Sequence, residues 1–223
     1  MRELILNFHG LGEPHHLVHS LEKRYWWSAA SFARLLDQIV DHPVDADPKI
    51  SVTFDDGNAS DSLLALPELA KRRLKASFFV CAGRIGIKNY LDGSMIRDLL
   101  GAGMNIGSHG MDHQDWRTLN SGSLEVEIVE ARKKIEDISR SPVRIVAIPF
   151  GSYDRRVLRR LKPESWDCIY TSDRGRARLT AKIKPRETLD AAMQDRDILS
   201  ELLTKPPVKT RIKQALLQFY KRC

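Results

Sequence analysis

The chain has 223 residues, of which 42% are hydrophobic and 29% charged, and its formal net charge is +7. This composition excludes an intrinsically disordered protein, and no apolar run approaches the ~20 residues that a membrane-spanning helix needs. Six basic and no acidic side chains lie in residues 205–223, so the rest of the chain is nearly neutral and its charge does not indicate a nucleic-acid-binding protein.

Short runs rich in β-branched and aromatic residues alternate with longer helical patterns. The predicted strands cover residues 4–8, 50–54, 77–81, 104–106, 144–148 and 168–171. The spacing of apolar residues predicts helices over residues 31–40, 95–100 and 123–138, the second of them capped by Ser94. Alternation of this kind is typical of repeated βα units. We therefore expect an α/β domain with mainly parallel strands over residues 1–204.

A short basic segment follows Lys205-Pro206-Pro207. Apolar residues recur within it at Ile212, Ala215, Leu216 and Phe219, which predicts an amphipathic helix over residues 205–223. Three roles remain open for this helix: it docks on the domain as a closing helix, it lies on an anionic membrane surface, or it binds a partner.

Polar residues follow four of the predicted strands. His9 follows the first, Asp55 and Asp56 follow the second, and the Pro149-Phe150-Gly151 segment follows the fifth. The fourth leads into a segment that contains His109 and His113. In barrels built from βα units, the loops at these strand ends form the active site. The sequence therefore predicts that these residues meet at one end of the domain.

The Asp and His pairs have the residue types of a metal site with an adjacent base. Side chains alternate in direction at a strand end, so one of Asp55 and Asp56 can bind a metal while the other acts as a base. The alternative is a simple turn, because Asp-Asp-Gly is common in turns. His109 and His113 are spaced i, i+4, so both imidazoles reach one metal if the segment is helical.

Three motifs together resemble those of a known enzyme family. Thr53-Phe54-Asp55-Asp56-Gly57, His109-x-x-x-His113 and Pro149-Phe150-Gly151 are similar, in order and spacing, to the first three motifs of the polysaccharide deacetylases, also called carbohydrate esterase family 4 or NodB-homology enzymes. The resemblance covers about residues 5 to 190. It implies a distorted (β/α) barrel that holds one divalent metal and removes N-acetyl or O-acetyl groups from a saccharide, polysaccharide or lipid-linked glycan.

The resemblance also implies a role for each motif residue. Asp56, His109 and His113 would bind the metal, which is usually Zn²⁺, with Co²⁺, Ni²⁺ or Mn²⁺ as alternatives. Asp55 would be the base that deprotonates the metal-bound water. The metal and the backbone N–H of Phe150, which follows Pro149, would stabilise the oxyanion.

The sequence departs from the family pattern at two positions near these motifs. Ala147 stands where the family often has an Arg that positions the catalytic Asp, and Arg186 or Arg174 is the candidate substitute. We group Arg186 with the oxyanion and substrate-binding residues. Gly110 replaces a Ser or Thr that follows the first metal-binding His, so one hydrogen bond around the metal is expected to be missing.

The third departure concerns the general acid. No His follows His113 in the sequence, although many family members take their general acid from a C-terminal His. We choose His9 as the acid because it directly follows a predicted strand. The alternative for His9 is a structural role, hydrogen-bonded beneath the site.

The remaining expectations concern the substrate and the surroundings of the protein. Trp116 is expected to form a wall of a sugar-binding groove. An acetylated saccharide is the expected partner, without nucleic acid. Three widely spaced cysteines and no recognisable leader favour the cytoplasm, with peripheral membrane contact through residues 205–223 left open. Two other functions stay open: hydrolysis of a small non-peptide amide at the same site, and a barrel that binds a saccharide or membrane without turnover.

Overall fold

The computed structural model describes residues 1–204 and 208–222. The strands are β1 (Arg2–Phe8), β2 (Gly10–Leu11), β3 (Trp26–Trp27), β4 (Lys49–Phe54), β5 (Ala76–Val80), β6 (Asn105–Ser108), β7 (Ile145–Ala147), β8 (Cys168–Thr171), β9 (Ala177–Arg178), β10 (Ile183–Pro185) and β11 (Glu187–Thr188). The α-helices are α1 (Ala29–Asp41), α2 (Leu66–Lys71), α3 (Gly93–Gly101), α4 (Ser121–Glu125), α5 (Ala131–Ser139), α6 (Arg155–Leu161), α7 (Ile198–Leu203) and α8 (Val208–Arg222). Two π-helical turns extend them, Asp61–Ala65 before α2 and Val126–Glu130 between α4 and α5.

The main sheet is parallel and closes on itself. Strands β1, β4, β5, β6, β7 and β8 lie side by side in this order. Beyond them, β10 pairs with β8 and β11 pairs with β1, both in parallel. Because only Arg186 separates β10 from β11, one continuous segment is hydrogen-bonded to both ends of the row. The sheet is therefore a nearly closed barrel, as predicted, with the short β9 added antiparallel to β1.

All six predicted strands are present; β8 has the predicted bounds, and the other five differ from theirs by one or two residues at an end. The closing strands β10 and β11 were not predicted, since runs this short carry no alternation of side chains. The predicted cap of α3 is wrong: the helix begins two residues earlier, where the Asp92 side chain accepts hydrogen bonds from the backbone N–H groups of Ser94 and Met95. The long helix predicted over residues 123–138 is present as α4, the π-helical turn and α5.

Apolar side chains pack on both the outer and the inner face of the barrel. Alternate residues of the strands face outward against the helices, where the rings of Phe8, Phe54 and Phe78 stack on neighbouring strands with centroids 5.3 and 4.9 Å apart. The other residues face the interior, where a second buried cluster forms around Ile5 and Phe79. Arg186, Asn7 and Thr53 are joined by hydrogen bonds in the interior, and Arg186 also donates to Asp55 in the candidate site described below.

Helix α8 forms where the sequence predicts the basic amphipathic segment, and it contacts α6 on the outside of the barrel. The predicted boundary at residues 205–207 lies outside the described residues, so the division into two parts remains a prediction. In the part of the chain that the structure describes, no helix has the length and apolar character needed to cross a membrane.

Candidate metal centre and active site

The strand ends bring the predicted residues together. Asp55 and Asp56 directly follow β4, and His109 directly follows β6; both strands pair in parallel with β5 and so end at the same edge of the barrel. The residues from His109 to His113 are not helical, which corrects the geometry expected from their spacing. Gly110 and His113 instead have φ angles of 84° and 56°, and these left-handed residues turn the loop so that both imidazoles face Asp56.

The three predicted ligands have the geometry of a cation site. Asp56 Oδ1 lies 3.8 Å from His109 Nε2 and 3.3 Å from His113 Nε2. One donor atom from each residue can be chosen so that all three lie within 4.8 Å of one another. Ligand atoms around a tetrahedral Zn²⁺ at ~2.0–2.1 Å are separated by ~3.4 Å. The separations found here fit such an ion.

The protonation states of these side chains also fit a cation. The Nδ1–H of His109 donates a hydrogen bond to the backbone carbonyl of Ala147 at 2.8 Å, which leaves Nε2 free as a ligand atom. Burial lowers the pKa of His109 to about 4, so its imidazole is neutral at physiological pH. The Oδ1 atom of Asp56 is buried and accepts no hydrogen bond from a described residue. A buried carboxylate oxygen without a hydrogen-bond donor, beside two imidazole nitrogens, is a donor set that suits a divalent metal.

Asp55 is held from behind by a buried arginine. Arg186 is fully buried, and its two terminal nitrogens donate to Asp55 Oδ1 and Oδ2 at 2.7 and 2.8 Å. Asn7 Nδ2 donates a further hydrogen bond to Asp55 Oδ2 at 2.9 Å. Burial alone would raise the pKa of the Asp55 carboxyl, but the charge and hydrogen bonds of Arg186 outweigh it and hold this pKa well below its usual range. Asp55 is therefore ionised and fixed in orientation.

This contact revises the prediction for Arg186. The side chain lies beneath Asp55 inside the barrel and does not line the cavity, so it is not an oxyanion or substrate contact. Of the two substitutes considered for the missing motif arginine, Arg186 is the one that contacts Asp55. Arg174 instead lines the cavity at its exposed rim.

The surroundings of position 110 explain why this residue is a glycine, which the sequence alone did not reveal. A Cβ atom at this position would lie 2.2 Å from Glu127 Oε2. Glu127 is buried in the π-helical turn, and its carboxylate accepts hydrogen bonds from the backbone N–H groups of Met111 and Asp112 and from Nε1 of Trp116. The loop that carries His113 is thus held by a carboxylate from the neighbouring helix.

A cavity of ≈ 460 Å³ opens over the site. His9, Asp55, His109, His113 and Phe150 are among the residues that line it. The His9 ring stacks on the Tyr25 ring with centroids 4.9 Å apart, and Nδ1 of His9 has no hydrogen-bond partner among the described residues. This arrangement does not support the structural alternative for His9, which required a hydrogen bond beneath the site.

The predicted oxyanion segment adjoins the predicted metal ligands. Pro149 is buried, and Phe150 has a left-handed φ of 58° and is 58% exposed. The Phe150 ring lies 4.4 Å from the His113 ring, measured between centroids. The prediction for Trp116 is wrong: this side chain is fully buried and bonded to Glu127, so it offers no surface to a sugar. The aromatic rings that do line the cavity are Tyr25 and Phe150.

Besides Tyr25, sequence reasoning missed Asn7, Glu127 and Glu22. Asn7 is a polar residue within an otherwise apolar strand, and Glu127 interrupts the apolar face of the helix predicted over residues 123–138. Both interruptions were visible signals of buried polar groups. Glu22, whose Oε1 lies 3.6 Å from Nδ1 of His113, comes from a loop without a motif, and no local pattern indicated it.

Two curated proteins are similar to this chain in sequence. Among curated proteins, YxkH of Bacillus subtilis is 26% identical over 128 residues, which are 57% of this chain and 46% of YxkH. A chitin deacetylase of Arthroderma benhamiae is 37% identical over 90 residues, 40% of this chain and 23% of that protein. The chain spans about half or less of the length of these two relatives.

Solved structures of other proteins are similar to this chain in fold. The crystal structure of BC0361, a polysaccharide deacetylase from Bacillus cereus, matches with a TM-score of 0.78 at 20% identity, covering 91% of this chain and 69% of BC0361. The sequence profile described as polysaccharide deacetylase matches residues 43–164, more than half of the chain. This chain therefore belongs to the polysaccharide deacetylase family.

Proposed function

We propose that this protein is a metal-dependent hydrolase that removes the N-acetyl group of an acetylated saccharide, releasing acetate and a free amine. One observation carries the proposal: a buried carboxylate oxygen and two imidazoles converge beside a second carboxylate that Arg186 keeps ionised. The relative named chitin deacetylase supports an N-acetylated sugar as the substrate class. O-acetyl groups remain a second substrate for the same chemistry.

Asp56, His109 and His113 would hold the metal. Two nitrogen donors and one oxygen donor suit Zn²⁺ best among the common divalent ions, and three protein ligands leave room for substrate. When bound, the metal would polarise the acetyl carbonyl group and lower the pKa of a water molecule at the site towards ~7.

The other residues have distinct parts in the reaction. The ionised carboxylate of Asp55 accepts a proton from the attacking water, and Arg186 keeps its oxygens in place during the transfer. The backbone N–H of Phe150 donates to the oxygen that becomes negatively charged as the carbonyl carbon is attacked. His9 donates a proton to the leaving amine, so that the C–N bond breaks with the electron pair on nitrogen. Tyr25 and Phe150 provide aromatic surfaces against which a sugar ring can stack.

The proposal is tested by measuring metal content and acetate release together. The purified protein should bind about one divalent metal per chain and release acetate from acetylated chitooligosaccharides. Asp55→Asn should retain the metal and lose turnover, because it removes the base but none of the ligands. His109→Ala should lose the metal. Asp98→Asn, a matched change of an exposed carboxylate, should alter neither measurement.

Three outcomes would overturn the assignments. Full activity of Asp55→Asn would show that Asp55 is not the base. Stoichiometric metal without acetate release from any acetylated saccharide, but with hydrolysis of small amides, would favour the alternative substrate class. Saccharide binding without any turnover would favour the barrel that binds without catalysis.

A further inference from the structure

Helix α8 rests on the barrel through polar side chains. Nε2 of Gln218 donates to the backbone carbonyl of Arg174 at 3.3 Å, and Nζ of Lys221 donates to the carbonyl of Gly151 at 2.9 Å. Lys221 also forms an ion pair with Asp173. Gln218 and Lys221, spaced i, i+3, therefore mark the side of this amphipathic helix that meets the protein.

Four apolar residues of α8 face away from the protein. Ile212, Leu216, Phe219 and Tyr220 are exposed by 54, 62, 67 and 82%. They are spaced i, i+4, i+7 and i+8, so they form one continuous stripe on the helix. Helix–barrel packing cannot account for this stripe, because the barrel contacts the other side. An exposed apolar stripe of this kind marks an interaction surface.

The charge of the same segment indicates what covers the stripe. Residues 205–223 contain six basic and no acidic side chains, while the rest of the chain is nearly neutral. An apolar stripe on a strongly basic helix fits a membrane surface with anionic headgroups, because the acyl chains bury the stripe and the headgroups attract the cations. A second copy of the helix would bring another six positive charges to the contact, which disfavours self-association through this face.

We infer that α8 is a peripheral membrane-docking helix that binds anionic lipid surfaces through Ile212, Leu216, Phe219 and Tyr220. The residues it holds by hydrogen bonds adjoin or line the cavity, since Gly151 follows Phe150 and Arg174 is at the rim. Docking therefore brings the cavity close to the lipid surface. The consequence for catalysis, which rests on the proposed function, is that the substrate is an acetylated glycan attached to or lying on a membrane.

Vesicle binding of the complete chain tests the docking without substrate or metal, so its outcome is independent of the proposed function. The chain should sediment with phosphatidylcholine vesicles that contain about one third phosphatidylglycerol, and at least tenfold less with phosphatidylcholine alone. Raising the salt concentration from about 0.1 to 0.5 M should weaken the binding. Leu216→Ser combined with Phe219→Ser should lower the partition coefficient at least tenfold.

A matched control uses two apolar residues that are equally exposed elsewhere. Leu21→Ser combined with Leu63→Ser, exposed by 72 and 61% in the wild type, should change the partition coefficient less than about twofold. Circular dichroism and thermal unfolding should be unchanged in both double variants. Equal loss in both, or no vesicle binding by the wild type, would overturn the inference. Self-association that the α8 variant abolishes, without vesicle binding, would assign the stripe to a second copy instead.

Discussion

Replacing Arg186 by Met should destabilise the protein through Asp55. Arg186 is fully buried, and it donates two charged hydrogen bonds to Asp55, one to Asn7 Oδ1 at 2.8 Å and one to Thr53 Oγ1 at 3.3 Å. Methionine keeps the approximate length of the side chain but leaves a buried carboxylate without its cation. Removing one partner of a buried ion pair costs about 3–5 kcal/mol in the free energy of unfolding.

The contribution of the pair can be isolated by a double-mutant cycle in metal-free protein. With Asn at position 55 there is no buried negative charge, so Arg186→Met should cost little in the Asp55→Asn background and can even be stabilising. The difference between the two backgrounds should exceed ~2 kcal/mol, measured by urea unfolding with similar m-values. Equal costs in both backgrounds, within ~0.5 kcal/mol, would refute the coupling.

The pH dependence of the free energy of unfolding is a second, independent test of the contact between Arg186 and Asp55. In the wild type the folded-state pKa of Asp55 is lowered, so its contribution to stability is present above the unfolded pKa and is lost only in strong acid. Without Arg186, burial should raise this pKa above the unfolded value of ~3.9, so stability should fall as pH rises from about 5 to 8. The double variant has no such group and should show no added slope.

Three further changes have defined outcomes. Gly110→Ala should weaken zinc binding in a competition titration, because a Cβ atom would lie 2.2 Å from Glu127 Oε2 at a φ of 84°. Lys221→Met should lower kcat for acetate release by roughly tenfold at unchanged metal content, because it frees the carbonyl of Gly151 beside the oxyanion segment. Burial and two nearby carboxylates raise the pKa of Asp61 well above its usual range, and neither of its oxygens has a hydrogen-bond partner among the described residues. The folded state therefore holds a proton that the unfolded chain releases above about pH 4. Asp61→Asn should become increasingly more stable than the wild type as pH rises above this value, measured by urea unfolding of the metal-free proteins. A stability difference between the two proteins that does not change with pH would contradict this prediction.

The parts of the structure that follow local rules were predictable from the sequence. Strand alternation and helix periodicity gave the six long strands and the main helices, and parallel strands end at a common edge, so Asp55 and His109 could be expected to meet. The i, i+4 spacing of His109 and His113 pointed to the right pair but to the wrong geometry. Two left-handed residues, Gly110 and His113, bring the rings together without a helix.

The contacts that were not predictable depend on residues distant in the sequence. Trp116 was expected at the surface because it follows a metal-binding loop, whereas the indole N–H is satisfied by Glu127 inside the protein. The outward direction of the apolar stripe on α8 depends on which side of the helix finds partners on the barrel. Arg186 is 131 residues from Asp55, and its contact exists only because the segment between β10 and β11 closes the barrel.

That closure also explains why Ala147 is compatible with a working site. Ala147 belongs to the same interior cluster as Phe79 and Tyr170, and the guanidinium carbon of Arg186 lies 5.2 and 5.9 Å from the centroids of those two rings. The guanidinium from the closing segment therefore lies against the same two rings with which Ala147 is clustered. The interior of a closed barrel can be reached from every strand, so the cation that orients Asp55 need not come from the strand that carries the motif. The presence of Ala147 is therefore no evidence against catalysis and does not favour a barrel without turnover.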